Sequence, residues 1–187
     1  DRSLSFLDAS GLLQTGRSSL PISEITTVSS EQLSTEVLLG KTLFYHAGPQ
    51  MSGEGYISCA TCHLDGAQDG RVWDFTGRGE GLRNSITLRG RSGTGHGRVH
   101  WSANFDEIQD FEHDIRGFFG GTGFLSDAEF ATSSPLGTPK AGLDSELDAL
   151  AAYVTSLDHD TLPRSPYRQS NGALSQSAIA GQTIFET

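Results

Sequence analysis

The sequence predicts a mostly α fold in which several helices surround long ordered loops. Three observations carry this. Leu143, Leu147, Leu150, Ala151, Val154 and Leu157 recur at helical spacing with acidic residues opposite, the pattern of a helix packed on a core. A second periodic stretch, Leu33, Val37, Leu38, Lys41, Phe44 and Tyr45, runs up to Gly48-Pro49. The 23 glycines cluster between Gly66 and Gly123, so the middle of the chain reads as loop held around something, not as sheet or helix.

In chain order, residues 1–30 are Ser/Thr-rich without sustained period and predict an extended arm. Ser30 is placed to cap the first helix, with Glu31 in its first turn. The glycine-rich loops follow, and a second helix is expected from Asn104–Asp106 with Ile108, Phe111, Ile115 and Phe118 on one face, ending at Gly120-Gly121. Ser126-Asp127-Ala128-Glu129 is a capping box for a third. After Leu143–Leu157, "PRSPYRQSNG" reads as a linker and "LSQSAIAGQTIFET" as the start of another helix. The expected organisation is an arm over 1–30, one principal domain over 31–162, and a linker with the beginning of a truncated following segment over 163–187.

Composition narrows the function. A chain of 187 residues is about one domain's worth. Only 35% of it is hydrophobic, so a bound cofactor would supply apolar core the chain lacks. The formal net charge of -10 argues against a nucleic-acid surface and favours partners with basic patches. No apolar run reaches the roughly 18 residues of a membrane span. The two cysteines, Cys59 and Cys62, lie in one motif, which rules out a disulfide framework.

That motif is "SCATCH", with His63 directly after Cys62. Two thiols within one helical turn can chelate a metal, form a redox disulfide, or add to the two vinyl groups of a haem. A structural zinc site needs four ligands and there is no second cysteine pair, while a redox pair belongs to a βαβ pattern absent here. The adjoining histidine can ligate iron as a proximal haem ligand does. The expected cofactor is one covalent haem c, held by Cys59, Cys62 and His63.

The surrounding residues resemble a family. "LGKTLFYHAGPQMSGEGYISCATCH", Leu39 to His63, is similar to the entry of a haem domain in the bacterial dihaem cytochrome c peroxidases and their methylamine-utilisation relatives. "GLRNSITLRG" at Gly81 to Gly90 and "VHWSANFDEIQDFE" at Val99 to Glu112 resemble later segments of its first, N-terminal haem domain, and "AGQTIFET" resembles the helix that opens the second. The resemblance implies a cytochrome-c-like fold and a periplasmic or secreted protein, because haem c is attached outside the cytoplasm.

The resemblance also sorts the site residues. Arg83 and Asn84 fall in a fixed segment and are expected at the haem propionates, and Trp101 matches the tryptophan between the family's two haems. The stretch "DFTGRGEG", where the peroxidases carry a histidine that can leave the iron, has none, and the family's catalytic glutamine and glutamate fall on Phe111 and near Gly121. The sequence therefore favours electron transfer through a six-coordinate haem, with a redox protein or adjoining domain as partner. His100 is the expected second ligand, with His96 and Met51 as alternatives. The competing reading is a peroxidase-like enzyme with open iron and Asp110 or Glu112 moving protons, and a third is a haem-based redox sensor.

Overall fold

The computed structural model describes residues 3–16 and 22–187. The chain divides into two units, Asp1–Thr35 and Glu36–Thr187. In the first, β1 (Ser3–Leu7) pairs antiparallel with β2 (Ile22–Thr26), Ser3 opposite Thr26 and Leu7 opposite Ile22, and α1 (Ser10–Thr15) lies in the connection. The stretch read as an extended arm therefore holds a hairpin. The first long helix, expected from Ser30, opens only at Thr35, because the Glu31 carboxylate takes the Leu33 amide at 2.7 Å in a local loop that competes with helix.

The second unit is built on the crossing of α2 (Thr35–Tyr45) with α5 (Ser145–Thr155). A β-carbon at Gly40 would lie 1.8 Å from the Ala149 carbonyl oxygen, so only glycine lets the two backbones come this close. Leu43 and Phe44, three and four residues on, then turn into the core with Ala60, Leu150, Val154 and Leu157. Phe44 meets Tyr153 edge to face, with ring centroids 5.0 Å apart. Asp144 caps α5 by accepting from the amides of Glu146 and Leu147, each at 2.9 Å.

The glycine-rich middle contains more regular structure than its composition suggests. After α3 (Cys59–Cys62), β3 (Val72–Phe75) pairs antiparallel with β4 (Gly81–Asn84), placing Trp73 opposite Arg83 and Phe75 opposite Gly81. The helix expected from residue 104 to 118 is instead a 3-10 turn over Ile108–Phe111 and a π-helical turn over Asp114–Phe118. α4 (Asp127–Thr132) carries the expected capping box, with Glu129 Oε2 accepting from the Ser126 amide at 3.0 Å. α6 (Gln176–Phe185) repeats the glycine-then-apolar-pair pattern of α2, yet Gly181 touches nothing and Phe185 is 92% exposed.

Helix outweighs strand among the described residues, 38% against 12%, and the two hairpins keep the fold from being mostly α. Four-residue strands are too short to show a period-2 pattern against so many glycines. No described helix is long and apolar enough to cross a membrane.

Candidate functional site

The turn that carries the cysteines is fixed at both ends. Ser58 is extended, and its amide donates to Thr61 Oγ1 at 3.0 Å, closing the start of α3. At the far end the His63 amide returns to the Cys59 carbonyl at 3.0 Å. Asp65 then turns left-handed, at φ 53°, and is clamped to α2: Tyr45 Oη donates to Asp65 Oδ1 at 2.6 Å and accepts from the Asp65 amide at 3.2 Å. Because α2 is itself locked on α5, this clamp carries the rigidity of the core to the residues beside His63.

Cys59, Cys62 and His63 line one side of a mostly apolar cleft. Phe44, Ile108, Leu150 and Val154 form its apolar floor, and the inward residues of β3–β4, Trp73, Phe75 and Arg83, cover it. Burial pushes the Cys59 thiol up to about 12 and the Cys62 thiol up to about 11, so both are neutral thiols at physiological pH. Thiolate chemistry, whether zinc binding or disulfide exchange, needs the opposite shift. Burial also lowers the pKa of His63, keeping its imidazole neutral and its lone pair available.

His100 lines the same cleft. It is held in a short loop closed by the Val99–Phe105 bridge, and its own φ of 65° is an uncommon conformation for a residue with a side chain. Its ring packs on Phe105 and Phe111 at 4.4 and 4.8 Å between centroids. His100 Nδ1 lies 2.8 Å from Asn104 Oδ1, and Nε2 lies 3.6 Å from Asp114 Oδ2. Arg78 Nη2, 3.2 Å from the same Nδ1, donates to Asp114 Oδ1 at 2.7 Å. Burial, followed by the Arg78 charge, brings the His100 pKa down to about 4.

The structure brings together more polar groups than the sequence singled out. Arg78, Glu80 and Asp114 all line the cleft, with Glu80 and Asp114 buried. Ser102 donates its hydroxyl proton to Glu80, and burial raises the Asp114 carboxyl to about 6 against the opposing effect of Arg78. Nothing in the sequence marks them, because Arg78 and Glu80 come from the β3–β4 turn and Asp114 from a π turn, which meet only in the fold. Among the described residues no group of three or more His, Cys, Asp or Glu side chains is set to hold a metal ion by itself.

The alternative ligands also line the cleft, in different circumstances. Met51 is buried in its wall, whereas His96 is exposed, with Nε2 2.7 Å from Arg91 Nη1. Asn84 is on the rim, its carbonyl accepting from Trp101 Nε1 at 3.1 Å, and Trp101 is 60% exposed. Asp110 and Glu112, expected to move protons at an open iron, correct that reading: neither lines the cleft. Asp110 is fully buried against Lys140, and Glu112 is fully buried against Arg116 and the amides of Phe124 and Leu125. Asp110 lies on the 3-10 turn and Glu112 just after it, and both are turned away from the cleft that Phe111 and Ile115 line.

Residues 34–115 match the family model of the di-haem cytochrome c peroxidases. That segment is less than half of the chain. It runs from α2 to the π turn and so contains α3, the β3–β4 cover and the His100 loop. Hydrazine synthase subunit gamma of Kuenenia stuttgartiensis is 30% identical over 142 residues, covering 71% of this chain, and the chain spans only 35% of that relative. No solved structure matches the chain.

The family implies a haem, and the cleft fits one. Among the described residues two buried side-chain polar atoms have no hydrogen-bond partner, His63 Nδ1 and Arg91 Nε, and both residues line the cleft. An unsatisfied buried donor costs about 1–3 kcal/mol, so two in one apolar cleft mark a place built to receive polar groups of something else. This is a haem-binding, cytochrome c peroxidase-like domain.

Proposed function

We propose that the domain transfers electrons through one covalently attached, six-coordinate haem c. Cys59 and Cys62 would hold it by thioether bonds, which suit neutral buried thiols, and His63 and His100 would ligate its iron from opposite sides. The observation that carries this reading is the state of His100. Its Nδ1 is held between Asn104 Oδ1 and Arg78 Nη2, its backbone is in a left-handed turn, and its pKa of about 4 keeps the ring neutral at any physiological pH. Such an arrangement orients an imidazole for a metal.

When bound, the haem supplies a one-electron couple. The chain's own contribution is to exclude water with Phe44, Phe75, Leu150 and Val154, to fix both imidazoles, and to leave Trp101 exposed at the rim beside Asn84. The cytochrome-c-like fold, a periplasmic or secreted location, and a redox partner with a basic surface facing this acidic chain belong to the same reading.

A second reading is supported by Arg78 and Asp114. If His100 does not ligate, these three would face an open iron as a proton-moving set, as a peroxidase-like enzyme needs. The optical spectrum of the purified haem protein separates the two. A low-spin ferric spectrum indifferent to cyanide and carbon monoxide is expected; a high-spin spectrum with peroxide consumption would replace electron transfer by the enzyme.

A further inference from the structure

On the haem reading above, we propose that Arg91 anchors one carboxylate of the cofactor, its Nε turned into the cleft by His96. Four observations lead there. Arg91 lines the cleft, and its Nε is the one arginine nitrogen among the buried polar atoms left without a partner in the described residues. The rest of the guanidinium is oriented, since Nη1 donates to His96 Nε2 at 2.7 Å.

The backbone beneath it is immobilised as well. Gly90, Arg91 and Ser92 donate in turn to the carbonyls of Asp158 and Leu157 just past the end of α5, at 3.0, 3.2 and 3.3 Å. Gly90 has φ 78°, and a β-carbon there would lie 2.7 Å from Leu162, so the run "GRSG" can sit against α5 only as glycine permits. A donor placed this rigidly, dry and unpaired, is preorganised for an anion, and a planar guanidinium takes a carboxylate through Nε with one Nη.

The other arginines of the cleft are less suited. Arg78 is already paired with Asp114 at 2.7 Å, and Arg83 Nη1 donates to the carbonyl of its neighbour Leu82 at 2.9 Å. Arg83 is the anchor expected from motif position, which says nothing about which guanidinium ends up dry. His96 in this arrangement is a positioning residue and not an iron ligand: its Nε2 accepts from Arg91, which removes the lone pair a metal would need.

The test compares the haem-loaded protein with Arg91→Gln, Arg91→Lys and Arg83→Gln. Removing a positive charge beside the cofactor favours the ferric state. In Arg91→Gln the ferric-to-ferrous ratio at the wild-type midpoint should rise about tenfold, a fall of about 59 mV for a one-electron couple, with haem content and spin state unchanged. Arg83→Gln should move it less. Resonance Raman gives the second readout, since the propionate-bending band should shift in Arg91→Gln and also in Arg91→Lys, which keeps the charge and loses the Nε donor.

An unchanged potential and band in a haem-loaded Arg91→Gln protein would overturn the anchor while leaving the haem reading intact. If Arg91→Gln does not accumulate, an unshifted band in Arg91→Lys overturns it alone. A wild-type protein that carries no haem after expression with a haem-attachment system would sink the haem reading itself.

Discussion

The Nδ1 of His100 sits 2.8 Å from Oδ1 of Asn104, four residues on, and this contact helps to orient the ring in the cleft. Replacing His100 by alanine should turn a low-spin iron high-spin, and added imidazole should restore the low-spin spectrum. Asn104→Leu keeps the ligand and removes its orienting partner, for which a loss of about 10- to 100-fold in ligand affinity is typical. If His100→Ala remains low-spin, Met51, buried in the same wall, becomes the ligand to test by Met51→Leu.

The crossing of α2 on α5 gives a prediction for the fold. Gly40→Ala would put a methyl group 1.8 Å from the Ala149 carbonyl oxygen and 2.9 Å from Tyr153 Cβ. Neither can give way without separating the helices, so a destabilisation at or above the usual 1–3 kcal/mol of overpacking is expected, read as a lower urea midpoint with unchanged slope. The matching change Gly181→Ala on α6 meets open space and should cost nothing by packing.

The contrast between these two glycines shows what the sequence could and could not say. Periodicity and capping located α4 and α5 to within two residues, because those signals are local: Ser126 and Asp144 cap their helices through their own neighbours. Motif order identified the cysteine turn for the same reason. Arg78, Glu80, Asp114 and the dry Nε of Arg91 were not legible, since each acquires its role from groups far away in the chain. Asp110 and Glu112 misled in the opposite direction: being near Phe111 in sequence put them on the far side of an irregular helix, not in the cleft.

Tyr45 supplies a pH dependence. Burial, with the hydrogen bond to Asp65 next, raises its phenol to about 12, from the ordinary 10 that applies in the unfolded chain. Between those values the unfolded state has released a proton that the folded state retains, so stability falls as pH rises from 10 towards 12. Tyr45→Phe should flatten that alkaline limb in urea titrations at stepped pH. Below pH 9 it should show only the two lost hydrogen bonds with Asp65, about 1 kcal/mol each.

Asp110 is the sharpest test of where the chemistry is not. Its carboxylate is fully buried, accepts from the Asp106 amide at 3.0 Å and pairs with Lys140, which is 1% exposed and also donates to the Ser134 carbonyl at 3.1 Å. Breaking such a pair from one side leaves a buried charge uncompensated, which costs about 3–5 kcal/mol. Lys140→Met should therefore unfold at clearly lower denaturant, because the buried Asp110 loses its cation partner. Asp110→Asn should be milder, since Lys140 keeps Glu107 at 3.5 Å and the Ser134 carbonyl. In whatever fraction remains folded, the haem spectrum and any peroxide reactivity should match wild type. Peroxide consumption that disappears in Asp110→Asn with stability preserved would return this residue to the proton-moving role that its burial against Lys140 denies it.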